Sequence, residues 1–171
     1  AAFVNSGLVT LVCILLLYML KQNLTGPLIA ALFTISGFAL FGKNLFNVWF
    51  ILFGVYVYSR FKKEKFNKFL VPAFFGTAMA PAITEIAFRS SSSLFIGILL
   101  AIAMGTLLGF LIVPLATSLI SVHKGYNLYN VGFTAGMIGL ILVSILRSFG
   151  YVPTSQLIWS SGNNLILSVY L

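Results

Sequence analysis

Long apolar runs alternate with short polar breaks along the whole of this chain. Residues 3–20 are apolar and are closed by Lys21, Gln22 and Asn23. A bilayer core needs about 20 apolar helical residues, so this run is just long enough to span. Pro27 opens the next, shorter run, 27–41, in a first helical turn where its missing N–H is no loss. Residues 46–60 form a third run. Residues 70–88 form a fourth, broken by Pro72, Gly76 and Pro81 and carrying Glu85. The polar turn Arg89–Ser93 leads into a long fifth run, 94–121, with a kink expected at Pro114. Residues 128–146 form a sixth, ended by Arg147, Ser148 and Gly150; a last run opens at Pro153 and Thr154 and is still apolar at Leu171. The pattern predicts an all-α fold, a polytopic integral membrane helical bundle of six spans and a partial seventh. The chain reads as a fragment of a longer protein.

One phrase occurs twice between apolar runs. The first copy is Gly42-Lys43-Asn44-Leu45-Phe46-Asn47-Val48 and the second is Gly125-Tyr126-Asn127-Leu128-Tyr129-Asn130-Val131, offset by 83 residues (125 − 42). A repeat in a membrane chain is first a signature of fold, and transporters are commonly built from such halves. If the fourth run crosses the membrane, one side carries Lys21, Arg60, Lys62, Lys63, Lys65, Lys68 and Lys124, and the other carries Lys43, Arg89 and Arg147. Basic residues favour the cytoplasmic side, which puts the N-terminus outside and the loop 60–68 in the cytoplasm, across a plasma (inner) membrane. The two phrases then face opposite sides. The repeat is inverted, with residues 1–88 as its first half and 89–171 as an incomplete second. If 70–88 is only re-entrant, the copies become parallel.

Composition sharpens this picture. The chain is 60% hydrophobic and 7% charged, with a mean hydropathy of +1.09, where soluble domains carry roughly 25% charged residues. A single soluble core cannot hide that much apolar surface. The net charge of +8 has no Asp behind it and is thinly spread between apolar runs, which suits loops at a negative lipid surface better than nucleic acid. The stretch Arg60–Lys68 interleaves bases with aromatics, which reads as an interfacial or cytoplasmic loop. One Cys, Cys13, and one His, His123, provide neither an internal disulfide nor a metal site. Residues 3–20 lack the basic start of a signal peptide. Asn23-Leu24-Thr25 matches a glycosylation sequon, a three-residue pattern of low specificity.

The candidate chemistry is polar rather than catalytic. Asn44 and Asn47, like Asn127 and Asn130, are three apart and share a face if helical. Their amides can contact a neutral polar solute or cap a helix start. Gly42 and Gly125 suit a sharp turn into the helix. Glu85 is the one acid inside a run; a carboxylate at membrane depth marks function, while pairing with Arg89 one turn on would make it interfacial. Thr84 and Thr77 lie on the same broken run and can add hydroxyls. Small residues four apart, in Ala101, Gly105 and Gly109 and again in Gly132 and Gly136, predict close helix packing. No nucleophile–base–orienter set, phosphate loop or dinucleotide fingerprint is present, so neither an enzyme nor a cofactor is expected.

These residues resemble those of uncharacterised bacterial multi-pass membrane proteins that share the repeat. More distantly, the chain is similar to the urea transporter family, in which a Gly-Tyr-Asn or Gly-Phe-Asn phrase opens a helix in each half. Gly125-Tyr126-Asn127 matches it and Gly42-Lys43-Asn44 does so approximately. Gly105-Thr106-Leu107-Leu108-Gly109 resembles that family's Gly-Ser-Leu-Leu-Gly, and Leu70-Val71-Pro72 through Pro81 resembles its run with two prolines nine apart. The resemblance implies passive passage of a small amide-like solute through each protomer of a homo-oligomer, with the phrase asparagines in contact with it. The expected function is a channel or facilitator for a small polar solute. The alternatives are a proton- or ion-coupled transporter using Glu85, and a non-transporting membrane scaffold.

Overall fold

A computed structural model describes residues 2–89, 93–127, 129–150, 162 and 164–170. The described residues form helices joined by turns and loops, with no strand among them. The order is α1 (Ala2–Met19), α2 (Gly26–Ala39), α3 (Val48–Phe61), α4 (Leu70–Gly76), α5 (Ala80–Arg89), α6 (Leu94–His123), α7 (Asn130–Ser148) and α8 (Asn164–Tyr170). Short 3-10 turns at Phe66–Phe69 and Thr77–Met79 flank α4. Residues 1–140 form one compact unit and 141–171 a second. The boundary lies inside α7.

Four helical stretches are long and apolar enough to cross a membrane: Ala2–Met19, Phe66–Phe88, Leu94–His123 and Asn130–Ser148. The predicted second and third spans are present as helices, but α2 and α3 have 14 residues each, roughly 21 Å at 1.5 Å per residue, against a hydrocarbon core of about 30 Å. The expected turn at Ser90–Ser92, the Arg89 side chain and most of the run after Pro153 lie outside the described residues.

The fourth run is not one smooth helix, and Pro81 explains why. In a continuous α-helix the N–H of residue 81 would donate to the Thr77 carbonyl. Proline has no N–H to give. The Ala80 N–H donates to Thr77 O instead, which tightens Thr77–Met79 into a 3-10 turn. Thr77 is the midpoint of the stretch Phe66–Phe88 (77 − 66 = 88 − 77).

The core of the first unit is built on contacts that only small residues permit. A Cβ added at Gly109 would lie 2.1 Å from Ile51 O, and one added at Gly54 would lie 2.2 Å from Thr106 O. One added at Gly105 would meet Phe50 Cβ at 2.5 Å. α3 and α6 therefore touch backbone to backbone. Gly97 brings α6 equally close to Ala87 O of α5. Helix α1 packs on α2 through Ser6, Val9, Cys13 and Leu17. Ser6 Oγ donates to Ser36 O at 2.8 Å, and Asn5 Nδ2 donates to Ala39 O and Lys43 O, both at 2.7 Å. Outward positions such as Phe33 and Tyr18 are exposed and apolar or aromatic, as a lipid-facing surface requires.

Candidate functional site

The first phrase builds a polar knot at the turn between α2 and α3. Asn44 Oδ1 accepts the N–H groups of Phe46 (2.9 Å) and Asn47 (3.1 Å), a capping geometry that satisfies donors left open by the helix start. Asn47 Oδ1 accepts the Asn44 N–H at 2.9 Å. Asn47 Nδ2 donates to Gly42 O at 3.0 Å and to Thr84 Oγ1 at 2.8 Å. Gly42 supplies the reversal at φ 106, a conformation that residues with a Cβ rarely adopt. Asn47 is fully buried, and both of its amide atoms are occupied inside the protein.

Lys43 is the residue that the sequence misplaces. Counted above among cations facing the membrane surface, it is instead 0% exposed and among the largest fully buried side chains. Its Nζ donates to Thr77 Oγ1 at 2.8 Å and lies 5.3 Å from the centre of the Phe38 ring. Thr77 is itself buried, and its hydroxyl donates to Phe74 O. The ammonium thus reaches the 3-10 break at the middle of a candidate span. Among the described residues no carboxylate pairs with it; the ion pair there is Lys68–Glu64. An ammonium has three N–H donors, and Lys43 uses one in a hydrogen bond.

The second phrase repeats the turn but not the knot. Asn127 Oδ1 accepts the Tyr129 N–H at 3.0 Å, as Asn44 does for Phe46, and Gly125 turns at φ 84. Asn130 then diverges from Asn47. Its Nδ2 donates to Ala116 O at 2.8 Å, and its Oδ1 lies 2.7 Å from His123 Nε2. The Gly125 N–H donates to His123 Nδ1 at 3.3 Å, so the ring hydrogen sits on Nε2 and is given to Asn130. Tyr126, the counterpart of Lys43, is 94% exposed.

The remaining predicted site residues separate. Thr84 joins the Asn47 knot. Glu85, the neighbouring residue, lies on the exposed side of α5. Gly105 and Gly109 sit in the α3–α6 contact. Gly132 and Gly136 are exposed, and a Cβ added at Gly136 would meet nothing within 4 Å among the described residues. One signal in the sequence pointed to Lys43: it is the one base between Lys21 and Arg60. Its polar neighbours Asn44 and Asn47 make it read as a loop residue.

An all-helical chain with several long apolar helices is compatible with an integral membrane protein. The sequence profile of a family described as a protein of unknown function, DUF1576, matches residues 1–148, and the chain belongs to that family. No curated protein and no solved structure matches it.

Proposed function

We propose that this chain is part of an inner-membrane channel or facilitator for a small polar solute, with Lys43 and Thr77 as its contact groups. One observation carries the reading: a fully buried ammonium meets a hydroxyl and an aromatic face at the middle of a candidate span. Charge within a membrane segment is expensive and is a functional hypothesis by default. The asparagines hold the turn instead, since Asn47 spends its amide on Gly42 O, Thr84 and the Asn44 N–H. A urea-like solute would accept from Lys43 and from no phrase asparagine of the first knot. The inverted repeat fits the shared Asn turn and positive-φ glycine of the two phrases. The coupled-transporter reading rests better on Lys43 than on exposed Glu85.

The test is flux into proteoliposomes, followed by light scattering with urea, acetamide, glycerol and formate. We expect protein-dependent flux of at least one solute, cut about tenfold or more by Lys43→Met, a rise of ~1.4 kcal/mol in the barrier. Thr77→Val should act in the same direction, and Glu85→Gln should leave flux unchanged. Flux that depends on Glu85 and not on Lys43 would reverse the assignment. No flux of any solute would leave the scaffold reading.

A further inference from the structure

The basic stretch after α3 lies at the opposite end of that helix from the Asn47 knot, and the solute reading makes no use of it. Helix α3 stops on Lys63 in the left-handed conformation, φ 55. The N–H groups of Lys63 and Glu64 donate back to Arg60 O and Ser59 O at 3.1 and 2.9 Å. This reversal returns the chain far enough for Phe66 to meet Tyr56 edge-on, with ring centroids 6.0 Å apart. The fold-back leaves a cavity of about 360 Å³ lined by Tyr56, Arg60, Lys63, Glu64, Lys65 and Phe66. Glu64 is already neutralised, because Lys68 Nζ lies 2.9 Å from its carboxylate. Among the described residues, Arg60, Lys63 and Lys65 have no ion-pair partner. Three like charges around one cavity repel each other until an anion joins them.

The surroundings define the anion. Tyr56 and Phe61, on the C-terminal half of α3, are exposed, and tyrosine is enriched at the boundary between acyl chains and headgroups. The cavity therefore combines an aromatic wall of Tyr56 and Phe66 with a guanidinium and two ammonium groups, the donors that suit phosphate oxygens. We infer that this cavity binds the phosphodiester headgroup of an anionic phospholipid, of the phosphatidylglycerol type. The site is independent of the solute reading and can fail or hold without it.

Native mass spectrometry of the full chain, released from neutral detergent with equal amounts of phosphatidylglycerol and phosphatidylcholine, tests it. We expect a retained phosphatidylglycerol adduct. The triple variant R60Q/K63Q/K65Q should weaken that adduct about tenfold or more, since each surface base contributes severalfold to anionic-lipid binding. The variant K21Q/K124Q, which removes charge elsewhere, should keep it. Equal loss in both variants, or no loss in the triple, would overturn the site in favour of general surface attraction. Displacement of the adduct by excess inorganic phosphate would overturn the lipid source. All three bases are exposed, so folding should survive; R60Q/K65Q, which leaves the left-handed Lys63 in place, repeats the test with the helix end untouched.

Discussion

Lys43 and Asn47 are close in sequence and have opposite energetic roles. The Asn47 side chain makes three hydrogen bonds, to the Asn44 N–H, Gly42 O and Thr84 Oγ1, and each closes a backbone or hydroxyl group that would otherwise be orphaned. Asn47→Ala should destabilise the fold by about 1–3 kcal/mol, the cost of leaving buried polar groups unpaired, read as a lowered unfolding midpoint in detergent. Lys43 is different, because desolvating an ammonium costs more than one hydroxyl and one ring return. Lys43→Met keeps the length of the side chain and removes the charge. Its unfolding midpoint should match or exceed that of the unaltered protein, while flux falls. A strongly destabilised Lys43→Met protein would mean that the ammonium serves the fold rather than the solute. Asn44 and Asn127 were legible as capping residues from their place before apolar runs. The burial of Lys43 was not, since it depends on Thr77 and Phe38, 34 residues later and 5 residues earlier in the chain.

At the scale of elements, two glycine rows with the same spacing behave differently. Gly109 faces Ile51 O and Gly54 Cα, so a methyl group there must push α3 and α6 apart. Gly109→Ala should cost about 1–3 kcal/mol, the usual penalty of overpacking. Gly136 meets no neighbour among the described residues, so Gly136→Ala should be neutral within about 0.5 kcal/mol or slightly stabilising through helix propensity. Thermal unfolding of the two variants side by side distinguishes them, and equal effects would contradict the packing described. The spacing of four residues is visible in sequence in both rows. Which row meets a partner helix is a property of the partner. The break in Phe66–Phe88 was more readable, because Pro81 removes one specific backbone hydrogen bond whatever surrounds it.

At the scale of the molecule, α6 sets the distance between the two phrases. Phe46 stacks near Phe88, and Ala87 meets Gly97, so the first phrase lies beside the start of α6. The second phrase follows the end of α6, 30 residues on, which is roughly 45 Å along a helix. Phe41→Cys and Tyr126→Cys, placed singly in a Cys13→Ala background, should therefore react with an impermeant maleimide from opposite sides of the membrane. Both native side chains are highly exposed, whereas position 43 is buried and would not report. Labelling from one side only would remove the inverted arrangement. With Lys43 withdrawn from the surface count, Arg89 and Arg147 remain against seven bases in the expected arrangement.

The sequence by itself determined that this is a helical chain of apolar runs, where its helices start and stop to within a few residues, and that one turn is written twice. These follow from local physics: proline lacks a donor, glycine reaches positive φ, asparagine caps, and hydropathy adds up along a run. The tertiary structure alone decided that Lys43 turns inward to Thr77, that Glu85 stays on an exposed face, that Asn47 and Asn130 choose different partners, and that one small-residue row packs while the other lies open. Each of those outcomes depends on which helix stands opposite, and a side chain's cost or use at membrane depth is set by that neighbour rather than by its own place in the chain.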